Sequence, residues 1–367
     1  MKILILANSD IGLFKFRREL LEELVKQHQV FVSVPAGEFT KEIQAAGCEI
    51  LENIRLKRRG TNPLQDLKLL RHYCKLIRGI KPGLVLTYTI KPNVYGGIAC
   101  GWYRVPYIAN VTGLGTAVES GGILGRVTLF LYGMGLKKAR KVFFQNVENR
   151  DFFLNHNIVK GNYEVLPGSG VNTTQHCYEA YPADTKELVF TTIGRLMRDK
   201  GIDEILSAAR IIKSEYPKVR FLLAGSFEEN YEKKVTEAQE AGFVEYVGQK
   251  KDIHPLIKES HAVLHASYHE GMSNVLLEAA SAGRPVIATD IPGCREIFEE
   301  GVSGIGFRAK STEDLVLALK KFIDLPYEKK KAMGEAGREK IKREFDRSIV
   351  VETYLREIEE ISEKLTD

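Results

Sequence analysis

Short apolar segments alternate with longer segments of helical periodicity along the whole chain, and this alternation limits the fold more than any other feature. Strands separated by helices predict parallel sheets, because a parallel pair needs a long crossover connection, usually a helix. Twelve candidate strands form two series, which are residues 2–7, 29–34, 48–52, 84–89, 106–111, 141–145 and 163–166, and then 188–193, 219–224, 244–247, 262–267 and 285–289. The sequence therefore predicts an α/β protein with two Rossmann-like domains and a cleft between them.

The two series are separated by a segment that has neither periodicity. Residues 173–187 mix Thr, Pro, Tyr and charged residues, which is typical of a linker. A chain of 367 residues is long enough for two domains. We therefore expect an N-terminal domain over residues 1–175 and a C-terminal domain over residues 185–345.

The charge is distributed unevenly between the two halves. Residues 1–180 carry 24 Lys and Arg against 14 Asp and Glu, whereas the remainder carries 29 against 34. A basic half indicates an anionic partner, which would be nucleic acid, a lipid surface or a phosphorylated substrate. The alternative is chance clustering of solvated charge. The five cysteines are scattered, odd in number and without a Cys-x-x-Cys pair, so they predict a reducing compartment and neither a disulfide framework nor a zinc site.

Two glutamates flank a turn that opens an apolar helix. Glu270 precedes the turn Gly-Met-Ser-Asn, and Glu278 follows among Val, Leu and Ala residues. A helix N-terminus presents free N–H groups and partial positive charge, so it binds phosphate or sugar oxygens. A carboxylate in apolar surroundings is costly unless it is hydrogen-bonded, and a pair of sugar or ribose hydroxyls provides such bonds. The structural alternative is that Glu270 caps the helix region and Glu278 lies on its solvated face.

A second candidate phosphate site lies upstream, at the end of another strand. Residues 188–193 predict a buried strand that Gly194 ends, and Arg195 and Lys200 follow in the loop and helix start. Two cations at the carboxyl end of a strand suit a diphosphate, since arginine offers a fork of donors and lysine a compact charge. Either cation alone is typical of ordinary surface charge. Both motifs together, each at a strand-to-helix turn, favour a nucleotide-diphosphate ligand.

These two motifs resemble those of a known family. The segments Gly-Arg-Leu at 194–196, Asp-Lys-Gly at 199–201 and Glu-Gly-Met-Ser-Asn-Val-Leu-Leu-Glu-Ala at 270–279 are similar to those of family 4 retaining glycosyltransferases. The resemblance covers nearly the whole chain. It implies the GT-B fold, in which two Rossmann-like domains face a cleft and a final helix, here about 349–364, returns to the first domain.

Three N-terminal segments carry a narrower resemblance. Residues 14–18, 91–97 and 111–115 are similar to those of bacterial enzymes that add a sugar to undecaprenyl-diphosphate-linked intermediates, such as the N-acetylgalactosaminyltransferases of protein N-glycosylation. The resemblance therefore implies a hexosyltransferase that moves an N-acetylhexosamine or hexose from a UDP-sugar to a lipid-linked saccharide, in surface glycan or glycoprotein synthesis.

The implied reaction needs stabilisation of the negative charge that develops on the nucleoside diphosphate as it leaves. Arg195, Lys200 and the helix start at 271–274 are the candidates for this role. A divalent cation held by Asp-x-Asp would be the other device, but no Asp-x-Asp occurs in the sequence. We therefore predict no catalytic metal and no cofactor apart from the nucleotide-sugar donor as substrate. The family resemblance implies that the reaction retains the anomeric configuration.

The resemblance also implies roles for single residues. Arg195, Lys200 and Glu270 are the predicted catalytic residues, with Glu270 on the transferred sugar, and Glu278 binds the ribose hydroxyls. The turn after the first strand lacks a full Gly-x-Gly-x-x-Gly, which argues against a dinucleotide site. The predicted donor-binding residues are Gly12, Gly194, Gly225, Val247, Gly248, Gly271, Met272, Ser273, Asn274 and Glu278.

Basic residues of the first half are candidates for binding the acceptor. Phe14 and Phe16 alternate with cations at the start of the first predicted helix, which suits a lipid headgroup boundary. A solvated basic surface is the alternative. Many family members have a histidine in the segment that corresponds to residues 110–115, which contains none here, so either Thr112 or the backbone at Gly113 is expected to replace it. Glu119 is a candidate base on the acceptor side. The predicted acceptor-binding residues are Lys15, Arg17, Arg18, Arg55, Arg58, Arg59, Lys91 and Thr112.

Residues 122–136 are unusually apolar and are followed by four cations within residues 137–141. Spanning a bilayer takes about 20 residues, and Arg126 interrupts the run, so it is not a transmembrane helix. It is either an interfacial helix on the inner leaflet or a buried helix of the N-terminal domain. We therefore expect a cytoplasmic enzyme that contacts the anionic inner face of the membrane peripherally, and no binding of nucleic acid, since no zinc-finger spacing or RNA motif accompanies the charge.

Two other functions stay open. A non-hydrolysing nucleotide-sugar epimerase shares the two-domain cleft and would form product from the donor alone. A non-catalytic carbohydrate-binding subunit is the third reading, and the combination of Arg195, Lys200, Glu270 and Glu278 argues against it. His265 lies near this set, but a lone histidine at a strand end is more often structural, so it is not included among the catalytic residues.

Overall fold

The chain forms two α/β units in a computed structural model that describes residues 1–366 apart from 53–61, 116–117, 119–120 and 186, with side chains up to residue 363. The first unit comprises Met1–Ser169 and Ser348–Asp367, and the second comprises Gly170–Arg347. The second unit thus begins before the segment that the sequence predicted to be a linker.

The first unit contains a parallel sheet of seven strands in the order β3-β2-β1-β4-β5-β6-β7. Its strands are β1 Lys2–Leu6, β2 Gln29–Val34, β3 Glu49–Glu52, β4 Leu84–Tyr88, β5 Tyr107–Val111, β6 Lys141–Phe144 and β7 Tyr163–Val165. Its helices before residue 170 are α1 Asp10–Gln27, α2 Thr40–Ala45, α3 Pro63–Ile80, α4 Gly97–Tyr103, α5 Gly122–Leu136 and α6 Val147–Asn155. Strands β1, β4 and β5 are almost wholly apolar, because helices cover both faces of the sheet.

Helix α3 illustrates how the local sequence sets an element. Its start is fixed by Asn62, whose side chain accepts a hydrogen bond from the Leu64 backbone N–H at 3.0 Å, and by a proline in the first turn. Leu69, Tyr73 and Ile77 recur every four residues and are buried, so they form the stripe that packs on the sheet. Leu70, Cys74, Leu76 and Ile80 flank this stripe and are partly buried against the same apolar cluster.

The second unit contains a parallel sheet of six strands in the order β10-β9-β8-β11-β12-β13. Its strands are β8 Val189–Ile193, β9 Arg220–Ala224, β10 Glu245–Tyr246, β11 Ala262–His265, β12 Val286–Thr289 and β13 Gly304–Phe307. Its helices are α7 Ile202–Glu215, α8 Tyr231–Glu240, α9 His254–Glu259, α10 Asn274–Ser281, α11 Thr312–Ile323 and α12 Tyr327–Glu344. Strand β13 was not predicted from the sequence.

The described residues of the segment 173–187, all except 186, lie outside helices and strands, but hydrogen bonds hold the segment to the second unit. The guanidinium of Arg284, which is fully buried, donates hydrogen bonds to the carbonyls of Glu179 at 2.9 Å and Ala180 at 2.8 Å. The Tyr181 hydroxyl donates to the carbonyl of His261 at 2.9 Å. These bonds satisfy buried polar groups on both sides, so the segment is part of the unit's structure.

The last helix, α13 Arg347–Thr366, packs into the first unit. Val350, Tyr354, Ile358 and Ile361 lie on one side of it, at helical spacing, and are buried in the same apolar cluster as the side chains of β1, β2 and α1. The Tyr354 hydroxyl also donates a short hydrogen bond to Oδ1 of Asn110. The first unit is therefore completed by residues from the end of the chain.

Candidate active site

The sheet of the second unit reverses its strand order at β8, which lies between β9 and β11. In open parallel sheets, ligands bind beyond the carboxyl ends of the strands at such a switch point. Two loops leave the sheet there, residues 194–201 after β8 and residues 266–273 after β11. All three residues predicted to be catalytic, Arg195, Lys200 and Glu270, lie on these loops.

One carboxylate oxygen at this position has two partners. Lys200 Nζ donates a short hydrogen bond to Oε1 of Glu270, and His265 Nε2 lies 2.9 Å from the same oxygen. The side chains of Lys200 and Glu270 are 21% and 15% exposed, and His265 is buried. Ser273 Oγ lies 3.3 Å from the same nitrogen, Nε2 of His265. The fold thus brings Lys200 and Glu270, 70 residues apart, into one network and adds His265 to it.

This network keeps Glu270 ionised. Burial by itself raises the pKa of the carboxyl group, but the hydrogen bond with His265 and the positive charge of Lys200 outweigh it and lower the pKa of Glu270 far below its ordinary value. Within the described part of the chain, the protein donors reach only Oε1. The second oxygen, Oε2, is therefore available to accept hydrogen bonds from a bound molecule.

Backbone contacts fix the two loops against each other. The Tyr268 N–H donates to the carbonyl of Asp199 at 2.9 Å, and Ser267 Oγ lies 3.3 Å from the same carbonyl. Gly201 has a φ of +66°, and a Cβ there would lie 2.2 Å from the carbonyl oxygen of Ala266. Only glycine permits this approach, so the position of Lys200 depends on the residue that follows it.

Three of the predicted donor-binding glycines meet at the carboxyl ends of neighbouring strands. The Gly225 N–H donates to the carbonyl of Gly248 at 3.1 Å, and a Cβ on Gly225 would lie 1.6 Å from the carbonyl oxygen of Gly194. The φ of Gly225 is +153°, which side chains rarely adopt. The backbone segments that follow β8, β9 and β10 are therefore in direct contact at these three glycines, with no side chain between them.

The first turn of helix α10 faces the same region. Ser273 is its N-cap residue, but its side chain makes no capping hydrogen bond and lies against His265 instead. The Ser273 N–H donates to the carbonyl of Gly293 at 2.8 Å, which fixes the direction of the turn. Uncapped N–H groups at a helix start carry partial positive charge and suit an anion.

Glu278 lies one turn further along α10 and is 16% exposed, so the solvated-face alternative does not describe it. Its Oε1 lies 3.9 Å from Nε2 of His176. The His176 ring stacks on His254 with centroids 4.7 Å apart, and His254 Nδ1 lies 2.6 Å from Oδ1 of Asp252. Sequence reasoning did not single out these histidines, because 78 residues separate them and neither belongs to a motif.

Arg195 does not contact the Lys200 and Glu270 network. Its guanidinium forms an exposed ion pair with Glu228, with Nη1 3.0 Å from both carboxylate oxygens. Exposed pairs of this kind contribute about 0–1 kcal/mol, so a diphosphate competes easily for this cation. Among the described residues, no three His, Cys, Asp or Glu side chains come together as metal ligands.

The structure separates the three cations predicted at the start of α1. Lys15 and Arg18 are exposed, with Lys15 Nζ 5.8 Å from the ring centre of Phe39. Arg17 is buried, donates to the carbonyl of Phe16 at 2.7 Å, and lies over the ring of Tyr88. Arg17 therefore belongs to the interior of the first unit and does not share the open basic surface with its neighbours.

The other predicted residues of the first unit lie in three places. Lys91 is mostly buried in an ion pair with Asp66 at 2.7 Å, Thr112 is half-buried after β5, and the Gly12 N–H donates to Oγ of Ser9 at 3.2 Å. The remaining ones, Arg55, Arg58, Arg59 and Glu119, lie outside the described residues.

Comparison with protein families matches both halves of the chain. Residues 2–146 match the family model described as glycosyl transferase 4-like, and residues 178–340 match the model described as glycosyl transferases group 1. The N,N'-diacetylbacillosaminyl-diphospho-undecaprenol α-1,3-N-acetylgalactosaminyltransferase of Campylobacter jejuni is 24% identical, with 97% of this chain and 98% of that protein covered. The capsular polysaccharide biosynthesis glycosyltransferase CapM of Staphylococcus aureus is also 24% identical, over 87% of this chain and 89% of that protein.

Solved structures share the fold over the whole chain. HepE of Anabaena, solved with UDP and glucose, superposes with a TM-score of 0.76 at 19% identity and covers 100% of both chains. Sucrose-phosphate synthase of Thermosynechococcus elongatus superposes with a TM-score of 0.82 at 17% identity, over 99% of this chain and 100% of the other. The architecture is therefore that of the GT-B glycosyltransferases, as the sequence predicted.

Proposed function

The chain is a glycosyltransferase of the GT-B fold, and we propose that it transfers a sugar from a UDP-sugar to a lipid-linked saccharide. We propose further that the reaction retains the configuration of the anomeric carbon and needs no metal ion. The sugar is an N-acetylhexosamine or a hexose, and the acceptor saccharide is carried on undecaprenyl diphosphate. The names of the Campylobacter and Staphylococcus relatives, which refer to an undecaprenol-linked substrate and to capsular polysaccharide, support this choice of acceptor. The UDP bound by HepE supports the choice of donor.

The observation that carries the proposal is the state of Glu270. Its Oε1 is fixed by Lys200 and His265, its charge is retained despite burial, and its Oε2 is open. A fixed, ionised carboxylate with one open oxygen accepts hydrogen bonds from the hydroxyls of a sugar. It also costs no reorganisation when the substrate arrives, which is the condition for effective electrostatic catalysis.

The proposed reaction breaks the bond between the anomeric carbon and the β-phosphate oxygen, and the electron pair leaves with UDP. The acceptor hydroxyl oxygen bonds to the same face of the anomeric carbon, and its proton passes to the leaving phosphate oxygen. Negative charge grows on UDP during this step. Lys200, Arg195 and the first N–H groups of α10 would stabilise it, so fixed cations and dipoles take the role that a metal ion has in other enzymes.

Helix α5 supports a peripheral position on the cytoplasmic face of the inner membrane. Ile123, Val127, Phe130 and Met134 follow the helical spacing of three and four residues and are all exposed, Ile123 by 83% and Phe130 by 69%. No helix in the described ranges is long and apolar enough to cross a bilayer. An apolar face next to cations suits the boundary between headgroups and acyl chains.

The deciding experiment is a screen of nucleotide sugars with a synthetic undecaprenyl-diphosphate monosaccharide as acceptor. Release of nucleoside diphosphate and a mass increase of the acceptor are measured, with and without a chelator. We expect acceptor-dependent turnover with a UDP-sugar, unchanged by chelation. Product formed from the donor alone would indicate an epimerase, and loss of turnover with the chelator that magnesium restores would refute the metal-independent mechanism.

Two variants connect the activity to the site. Lys200→Met and Glu270→Gln should each lower kcat/KM on the order of a hundredfold, since each removes part of the fixed charge. Lys321→Met, which breaks an exposed ion pair with Glu300 in the same unit, is the control and should keep full activity. Equal kcat/KM for all three variants would show that the Lys200 and Glu270 network takes no part in the transfer.

A further inference from the structure

A groove of about 680 Å³ lies on the first unit, between helix α3 and the end of helix α4. Its lining includes the half-buried Leu70 and Cys74, three cations and two aromatic side chains. Nothing in the proposed reaction uses it.

The three cations form one surface of α3. Arg71, Lys75 and Arg78 follow each other at spacings of four and three, so they lie on the same face of the helix, and all three are exposed. Within the described residues, none of them is paired with a carboxylate. The single acidic residue of α3, Asp66, is already paired with Lys91. The groove therefore has a concentrated positive charge and no neutralising partner from its own helix.

The two aromatic side chains of the groove suit a boundary between water and apolar material. Trp102 is 64% exposed and Tyr103 is 41% exposed, although side chains of this size are usually mostly buried. Tryptophan and tyrosine are enriched at membrane interfaces, where the ring has one apolar and one wet side. Lys138 Nζ donates to the carbonyl of Gly101 at 3.2 Å, so the residues that follow the exposed apolar face of α5 lie directly beside these aromatic residues.

One end of the groove lies on the side of the sheet opposite to the edge where substrates bind. Arg78 lies in the last turn of α3, shortly before β4, and Trp102 and Tyr103 end α4 shortly before β5. These three residues thus lie near the amino ends of the strands, whereas ligands of parallel sheets bind at the carboxyl ends. The position favours a lipid of the membrane itself over the reacting part of the acceptor.

We propose that this groove binds the phosphate headgroup of an anionic membrane phospholipid. Arg71, Lys75 and Arg78 contact the phosphate, since guanidinium and ammonium groups are the usual phosphate donors of proteins. Trp102 and Tyr103 lie at the level of the first acyl carbons, and the apolar face of α5 lies beside them. The inference rests on the proposed membrane location of the enzyme, but it concerns a site that the transfer reaction does not need.

Trp102 is the chain's single tryptophan, so its fluorescence reports on the groove alone. The full-length protein is mixed with vesicles of phosphatidylcholine, of phosphatidylcholine with phosphatidylglycerol, and of phosphatidylcholine with undecaprenyl diphosphate. We expect a blue shift, and quenching by brominated acyl chains, with the phosphatidylglycerol vesicles. A response to undecaprenyl diphosphate alone would assign the groove to the acceptor and overturn the proposal.

The variant R71Q/K75Q/R78Q should bind the anionic vesicles on the order of tenfold to a hundredfold more weakly, since each cation near an anionic surface contributes several-fold. Glutamine is a good helix former and all three positions are exposed, so α3 is retained. The control K218Q/K233Q/K329Q removes the same charge from exposed positions of the second unit and should bind like the wild type. Equal weakening by both triple variants would show that net charge alone acts, and would overturn the site.

A water-soluble acceptor analogue separates the two proposals. Sugar transfer to this analogue, measured without vesicles, should be the same for the wild type and R71Q/K75Q/R78Q. Activity on the analogue without any vesicle response of Trp102 would refute the phospholipid site and leave the transferase intact. A vesicle response without transfer to any acceptor would support the site and refute the proposed reaction.

Discussion

Replacing Lys200 by methionine tests the account of the Glu270 network most directly. Methionine keeps much of the apolar stem but removes the charge, so Glu270, 15% exposed, is left with His265 as its partner. Removing one partner of a buried ion pair costs about 3–5 kcal/mol, because the charge that stays behind is uncompensated. His265 supplies part of the compensation, so we expect the free energy of unfolding of Lys200→Met to fall by about 2–3 kcal/mol at neutral pH.

The loss should depend on pH with a defined sign. Burial raises the pKa of Glu270, His265 and Lys200 lower it by more, and the folded-state pKa therefore lies well below the value of about 4.3 expected in the unfolded chain. Such a group contributes stability above its unfolded pKa, and this contribution is lost as the pH falls through the folded pKa. Without Lys200 the folded pKa rises and the contribution shrinks. The difference between wild type and variant is therefore full at neutral pH and falls once the pH drops below the raised folded-state pKa of Glu270 in the variant, so it is compared at about pH 7 and about pH 3.

Urea unfolding of wild type, Lys200→Met, Glu270→Gln and the double variant, followed by circular dichroism at both pH values, measures these differences. The double variant removes both charges, so it should be more stable than Lys200→Met alone. Lys321→Met is the control, because the side chains of Lys321 and Glu300 are 56% and 57% exposed and their pair contributes less than about 1 kcal/mol. A loss for Lys200→Met that is the same at both pH values, or a double variant no more stable than Lys200→Met, would refute the reasoning.

Two further substitutions and one fractionation experiment have defined outcomes. Gly225→Ala should lower the free energy of unfolding by more than about 2 kcal/mol, because its φ is +153° and its Cβ would meet the Gly194 carbonyl, and a urea titration checks this. Arg284→Met should cost at least about 3 kcal/mol in the same assay, because it leaves buried carbonyls without donors, and faster proteolysis of residues 173–187 should accompany it. The enzyme should sediment partly with membranes and be released by high salt, and distribution independent of salt would contradict the basic contacts.

The strands were predictable because their signal is local. Residues 262–267 and 285–289 are short apolar runs between breakers, and the structure has β11 and β12 there. Strand β13 was missed because Gly304 and Gly306 make up half of it, and glycine has little strand preference. Its conformation is set by pairing along β12, which is a tertiary interaction that composition does not reveal.

The site was predictable where a motif carries it. Lys200 and Glu270 follow strands that the sequence identifies, and the topology of a parallel sheet brings the ends of such strands together. His265 was not included among the catalytic residues because one histidine at a strand end indicates no particular function. Its role depends on the loop after β11, which places Oε1 of Glu270 2.9 Å from Nε2 of His265. Arg17 was grouped with its neighbours on charge alone, whereas the helical rotation turns it inward towards Tyr88.

The linker expectation failed for a similar reason. Residues 173–187 have the composition of a flexible connection, but their carbonyls bind Arg284, about one hundred positions further along the chain. A buried arginine is rare, and Arg284 lies too far along the sequence to be included in any local window around residues 173–187. Local composition predicted the absence of helix and strand correctly, and it does not report what holds irregular backbone in place.

Helix α13 has a consequence for synthesis of the protein. During translation, the sheet of the first unit leaves the ribosome long before Val350, Tyr354, Ile358 and Ile361 exist, so the apolar surface that they cover is exposed while the whole second unit is made. Chaperones have a binding surface during that interval. Residues 1–169 expressed as a separate fragment should aggregate. The same fragment connected through a short linker to residues 348–367 should stay in solution.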